Sequence, residues 1–216
     1  MRTGNGAEGR IAVRICLIRH GKTAGNVKRQ YIGRRTDEPL CEEGRQELIR
    51  FYQAGRYPKA EAVIVSPMKR CIETAELLYS GQKMILCEGL VETDFGSFEG
   101  KTYEELKDQP AYRHFLESGG ELPFPGGETK EEMAFRVTAA FWKTVKTLQK
   151  EDCGSAVFLF HGGPIMAVMS SLIPESGFYD WQCPSGDGWE FLLSDSARSA
   201  GQVVRLSGKE EKQCSF

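Results

Sequence analysis

The run Arg14-Ile15-Cys16-Leu17-Ile18-Arg19-His20-Gly21 decides how this chain is read. Its apolar, partly β-branched residues follow one another without a polar break, the pattern of a strand buried on both faces, and they stop at Arg-His-Gly. Such a strand is expected at the centre of a sheet, and an open α/β sheet binds ligands at the carboxyl ends of its strands. This end carries a fixed cation, a titratable imidazole and a glycine that lets the backbone turn. The planar fork of Arg19 bonds two oxygens of a phosphate or carboxylate at once. His20 suits a nucleophile, a base or a metal ligand. Taken alone, the stretch reads equally well as a surface Arg–His pair at a strand end.

Around that strand, 216 residues make one domain, or one domain with a sizeable insertion. The net charge of −2 gives no support to nucleic-acid binding or to an anionic membrane surface as partner. No apolar run approaches the length of a membrane span, and residues 1–10 lack the apolar core of a signal peptide. They read as a disordered leader. The seven cysteines (Cys16, Cys41, Cys71, Cys87, Cys153, Cys183 and Cys214) are widely scattered, and there are three histidines (His20, His114 and His161). Neither set has metal-site or redox spacing, so no metal site is expected. Reduced, mostly buried thiols and a cytoplasmic location are.

Further along, Thr23 to Pro39 is polar and loop-like, and Glu42 to Ala54 has helical spacing. Ala62–Val65 predicts a buried strand, with Ser66 as N-cap and Pro67 as first residue of the helix that follows. Met84–Cys87 is a third strand. Residues 89–127 break the pattern with glycines, aromatics and prolines, with short helices near 103–106 and 111–117, as an inserted cap would. Glu128 to Lys150 is amphipathic, with Met133, Val137, Phe141, Val145 and Leu148 on one face. Ser155–Phe160 is a strongly apolar strand ending in His161-Gly162-Gly163, with a helix expected from Pro164. Trp189–Leu193 and Gln202–Leu206 read as a late, hairpin-like pair whose edge would suit a homodimer. Residues 208–216 read as a flexible tail. The alternation predicts a three-layer α/β/α sandwich with a mainly parallel sheet: one domain over 11–207, with a small helical cap.

Three strand ends therefore carry the notable polar residues. They are Arg19-His20-Gly21, Ser66-Pro67-Met68-Lys69-Arg70 and His161-Gly162-Gly163. If the strands are parallel neighbours, two arginines and two histidines meet in one crevice. That set is a poor cation site and a good site for a phosphoryl dianion. One imidazole would have to stay neutral to attack phosphorus, while the other would gain from being charged. Gly21-Lys22-Thr23 and Gly100-Lys101-Thr102 are not P-loops, because Cys16 and Phe95 stand where the first glycine is required.

Four motifs in order resemble the histidine phosphatase superfamily, with its phosphoglycerate-mutase-like fold. They are Arg19-His20-Gly21-Lys22-Thr23 with Asn26, Ser66 to Arg70 followed by Glu73-Thr74-Ala75, the loop Leu90 to Gly100, and His161-Gly162-Gly163. The resemblance implies that His20 is the nucleophile, forming a phosphohistidine. It implies that Arg19, Arg70 and His161 hold the phosphoryl oxygens, with Asn26, Thr23, Gly33 and Gly162 around the substrate. Glu92 would be the acid, then the base, and neither cofactor nor metal is implied. The stretch Asp94 to Tyr103, with Pro125-Gly126-Gly127-Glu128-Thr129, is similar to the α-ribazole phosphatase branch, which acts on a small phosphate ester in cobalamin biosynthesis. The alternatives are a phosphoglycerate-mutase-type transferase and a non-catalytic phosphate-binding module. Gly163, where such mutases carry Asn, and a cap poor in cations favour hydrolysis. The aromatic residues Phe95, Phe98, Tyr103, Phe115 and Phe124 read either as a wall for a flat leaving group or as the cap's own core. Arg34 and Arg35 read as a solvated pair, or as a handle for an acidic substrate.

Overall fold

The computed structural model of the chain describes residues 12–193 and 200–209. The expected leader, and all but two residues of the expected tail, lie outside them. The elements in order are β1 (Val13–Arg19), α1 (Ala24–Val27), α2 (Glu42–Gln53), β2 (Ala62–Val65), α3 (Lys69–Leu78) and β3 (Met84–Leu86). There follow α4 (Tyr103–Leu106), α5 (Pro110–Glu117), α6 (Lys130–Lys150), β4 (Ser155–Phe160), α7 (Gly162–Leu172), β5 (Gly188–Leu193) and β6 (Val204–Arg205). The sheet order is β3-β2-β4-β1-β5-β6. The strands β1 to β4 run parallel, β5 is antiparallel to β1, and β6 is antiparallel to β5.

The central strands are wholly apolar because the pleat sends alternate residues to opposite faces, and both faces are covered. Val13, Ile15, Leu17, Ala156, Phe158 and Phe160 pack with Val137, Phe141 and Val145 of α6 and with Ile165 and Val168 of α7. Cys16, Ile18, Val63, Val65, Val157 and Leu159 face the other way, onto Leu48 of α2 and Cys71, Ala75 and Leu78 of α3. A one-residue slip of any central strand would exchange these two sets, so register is strongly specified. In the observed register Arg19 lies opposite Phe160 and Val65 opposite Leu159. The residues just past these ends (His20, Ser66 and His161) therefore stand side by side.

The cap between β3 and α6 has its own small core of Phe98, Leu106, Tyr112 and Phe115, with Tyr31, Phe95 and Phe124 against it. Among the described residues no helix is long and apolar enough to cross a membrane, and no disulfide joins any two of the six described cysteines.

Several boundaries differ from the sequence expectation, each for a local reason. The helix after β2 begins at Lys69 with Met68 as N-cap, because the hydroxyl of Ser66 bonds His161 rather than the helix end. The helix after β4 begins at Gly162 rather than Pro164, with His161 as an extended N-cap. Within Thr23–Pro39, Thr23 and Asn26 form a capping box that nucleates α1. Thr129 caps α6, which therefore starts at Lys130. The chain continues past Ser207 in a 3-10 turn, Leu206–Lys209, anchored by bonds from Ser207 to the buried carboxylate of Asp187.

Gly44, in the first turn of α2, lies against the backbone just past His20: a Cβ there would stand 2.2 Å from the carbonyl oxygen of Lys22. Alanine gains up to about 1 kcal/mol in helix propensity. Displacing rigid backbone costs about 1–3 kcal/mol, and the clash wins. Gly44→Ala is expected to lower stability by about 1–2 kcal/mol in urea denaturation, and an unchanged or higher midpoint would contradict this close approach.

Candidate active site

The carboxyl ends of β1, β4 and β2 bring His20, His161 and Ser66 together. The two imidazole rings meet edge to face with centroids 5.1 Å apart, and both histidines are buried. The Nδ1 of His20 lies 2.7 Å from the carbonyl oxygen of Gly21. A carbonyl only accepts, so Nδ1 carries the proton and Nε2 keeps a bare lone pair. Gly21 is held in turn, its N–H donating to Thr74 Oγ1 at 3.0 Å.

Arg70, in the first turn of α3, has no exposed surface. It donates from Nε to His161 Nδ1 (3.3 Å), from Nη1 to the Thr36 carbonyl (2.9 Å) and from Nη2 to the Gly33 carbonyl (3.1 Å). Because guanidinium only donates, Nδ1 of His161 must be the acceptor, and its Nε2–H then points to Ser66 Oγ at 2.8 Å. Burial, then the charge of Arg70, hold both imidazoles well below their ordinary pKa, and Arg19 adds to this. Both rings are thus neutral. The charge expected on the second ring is disfavoured, first by burial and then by the Arg70 guanidinium.

Arg19 donates from Nη1 to the Cys183 carbonyl at 2.8 Å, while its buried Nε has no partner. A buried N–H without an acceptor costs about 1–3 kcal/mol, and an anion would satisfy it. Gly162 lies against this guanidinium, where a Cβ would make ordinary contact, 3.4 Å from Nε.

Glu92 is also buried, and burial raises its carboxyl pKa against the opposing pull of Thr93 and the two arginines. Its Oε1 accepts from the N–H (2.9 Å) and the hydroxyl (3.2 Å) of Thr93, so the proton of the neutral acid belongs on Oε2. Arg19, Asn26, Glu92 and Gly162 border a cavity of about 420 Å³, which Phe95, Phe115, Phe124, Met133, Met166 and Phe178 make largely apolar. Phe95, Phe115 and Phe124 therefore serve as core and as wall together, Phe98 is enclosed in the cap core alone, and Tyr103 is exposed and part of neither.

The remaining expected residues sit less directly. The Asn26 side chain accepts from the Thr23 N–H, and Thr23 is fully buried as the cap of α1. Gly33 supports the site through its backbone, donating its N–H to Glu99 and lending its carbonyl to Arg70. Arg34 and Arg35 pair with Asp94, and Arg34 also with Glu128. His114 is exposed. Sequence reasoning gave no role to Thr93 or Glu99, and gave Ser66 only that of a helix cap. A short polar residue next to the acid was the one available signal for Thr93. Among the described residues no cluster of three or more His, Cys, Asp or Glu could hold a metal ion.

A family model for the histidine phosphatase superfamily (branch 1) matches residues 15–187. The chain belongs to this superfamily. It is 34% identical over 152 residues to the zebrafish (Danio rerio) fructose-2,6-bisphosphatase TIGAR B, a match covering 66% of this chain and 57% of that protein. The chain thus spans little more than half of that relative. The solved phosphoglycerate mutase of Thermus thermophilus superposes with a TM-score of 0.65 at 29% identity, covering 89% of this chain and 98% of that one. A candidate alpha-ribazole-5'-P phosphatase of Escherichia coli superposes with a TM-score of 0.76, over 89% of this chain and 95% of the other. At 20% identity it speaks for the histidine phosphatase fold alone.

These protonation states set opposite pH dependences. Below about pH 6.5 the unfolded chain binds protons at His20 and His161 that the folded state refuses, so acidification destabilises. For Glu92 the folded state holds its proton above pH 4.5, where the unfolded chain has begun to release it, so stability falls as pH rises through the raised value. Glu92→Gln keeps the Oε1 acceptor and removes the second penalty. Its thermal midpoint at pH 7.5 is expected to exceed that of the parent protein, and the gain should shrink towards pH 4.5. A lower midpoint at pH 7.5 would mean that Glu92 is stabilised as the carboxylate.

Proposed function

We propose that the protein is a phosphomonoester hydrolase that works through a phosphohistidine on His20. The observation that carries this reading is the commitment of the His20 Nδ1 proton to Gly21, which leaves Nε2 unprotonated beside two guanidiniums. Arg19 and Arg70 attract the dianion and stabilise charge on its equatorial oxygens. Nε2 attacks phosphorus, the bond to the ester oxygen breaks, and the Oε2 proton of Glu92 passes to the leaving oxygen. Water then attacks the phosphohistidine. Glu92, now a carboxylate, takes the water's proton, and cleavage of the P–N bond releases inorganic phosphate. His161 stays neutral through these steps: its Nδ1 accepts from Arg70 and its Nε2–H is directed at Ser66, so it keeps the Arg70 guanidinium in place. No step draws on a metal or cofactor.

The walls of the cavity favour a monoester with a flat or apolar alcohol. Its lining cations are Arg19 and Lys130, and Lys130 already pairs with Glu121. A second phosphate or a carboxylate would find little free positive charge there, which counts against the phosphoglycerate-mutase-type alternative. A nucleoside-like 5'-phosphate fits the aromatic wall, with α-ribazole 5'-phosphate as the first substrate to try.

Release of inorganic phosphate from p-nitrophenyl phosphate and from a panel of monoesters tests the reading. Activity is expected to survive EDTA and to fall more than about a thousand-fold in His20→Ala. Brief reaction with ³²P-labelled ester should leave an acid-labile, base-stable label on the parent chain. Turnover by His20→Ala would sink the mechanism, and a preference for phosphoglycerate over aryl and nucleoside esters would sink the substrate class.

A further inference from the structure

We propose that Arg136 is a positioning residue for Glu92, holding the proton donor through backbone contacts alone. This rests on the role given to Glu92 above. The segment that carries the acid, 88–94, is a 3-10 turn followed by irregular chain and pairs with no strand. Three of its carbonyls are taken by one side chain from α6, while those of Glu88, Thr93 and Asp94 accept from the backbone N–H groups of Val91, Arg34 and Glu128. Arg136 donates from Nη1 to the carbonyls of Gly89 and Val91, both at 3.0 Å, and from Nη2 to the carbonyl of Glu92 itself at 3.3 Å.

The guanidinium is aimed by a two-pronged pair with Glu128, both bonds 2.8 Å. Glu128 closes the frame on the other side of the acid: its Oε2 accepts from the Asp94 N–H at 3.1 Å, and its own N–H donates to the Asp94 carbonyl at 3.0 Å. Two glycines permit the close fit. A Cβ at Gly89 would stand 2.4 Å from the Ala140 Cβ, and one at Gly127 would stand 2.2 Å from the Asp94 carbonyl. The peptide bonds flanking Glu92 are therefore gripped from α6 and its N-terminal approach, while the carboxyl group itself is left to Thr93 and the cavity.

An anchor of this kind acts on the proton and not on the nucleophile. Arg19 ends β1, His20 follows it and Arg70 lies on α3, and none of the three takes a hydrogen bond from Arg136 among the described residues. Loosening the frame should therefore weaken protonation of the leaving oxygen while sparing attack on phosphorus. Lysine cannot replace the fork, because one ammonium cannot span three carbonyls and both oxygens of Glu128.

The test compares kcat/KM for p-nitrophenyl phosphate, whose leaving group needs little protonation, with that for an alkyl phosphate, whose leaving group needs it fully. Arg136→Gln and Arg136→Lys are measured beside Glu92→Gln as the benchmark, with folding checked by circular dichroism and thermal melting. The Lys variant keeps a partly buried cation beside Glu128, so the result does not depend on the Gln variant folding. Both are expected to lose about 10- to 100-fold on the alkyl ester and less than about 3-fold on the aryl ester, following the benchmark. Equal losses on both esters, or none on either, would overturn the proposal. Residual turnover in His20→Ala would instead defeat the phosphohistidine reading beneath it, whatever Arg136 does.

Discussion

The site depends on a positive charge buried with no carboxylate in direct contact among the described residues. Arg70 is wholly enclosed, and the three bonds it donates go to an imidazole nitrogen and two peptide carbonyls. Its nearest compensation comes through the backbone. Glu99 Oε1 accepts the N–H groups of Gly33, Arg35 and Thr36, while the carbonyls of Gly33 and Thr36 face Arg70. A carboxylate and a guanidinium are thus separated by one layer of oriented peptides, which hold the cation in place without neutralising it. Burial, and then the field left over, keep both histidines neutral, and that field favours any dianion that reaches them.

The same field shapes the acid. Burial alone would drive the Glu92 proton to a high pKa, and the arginines and Thr93 pull it back. A group that must donate a proton and later accept one works best when neither form is strongly preferred. Opposed effects of this sort are also costly to the fold, since a carboxyl and two imidazoles are enclosed for reasons that packing does not require.

Much of this was legible in the chain before any geometry. A mainly parallel sheet covered on both faces followed from the uninterrupted apolar runs. The meeting of Arg19, His20, Arg70 and His161 followed once those strands were taken as parallel neighbours. The order of the strands in the sheet came only from the structure. Ser66 misled, because a serine before a proline fits a helix cap well, and nothing local signals a histidine from another strand as the better partner. Arg136 was hidden for a similar reason: on an amphipathic helix a polar-face arginine looks solvated, and its carbonyl partners lie more than forty residues away. Gly33 showed the converse, a site glycine whose backbone supports an arginine rather than the cavity.

Position 163 shows how tightly the parts are joined. A Cβ there would stand 2.9 Å from Glu92 Oε1 and 3.0 Å from Thr93 Oγ1. A side chain added at 163 would have to turn the Glu92 carboxyl and the Thr93 hydroxyl aside, and the backbone that carries them is gripped by α6. Changes at 163, 93 and 136 are therefore not independent in an evolutionary sense. A lineage exploring larger residues after the second His-Gly would have to move through variants in which the proton donor is displaced, so this glycine restricts the order in which new activities can be reached from this sequence.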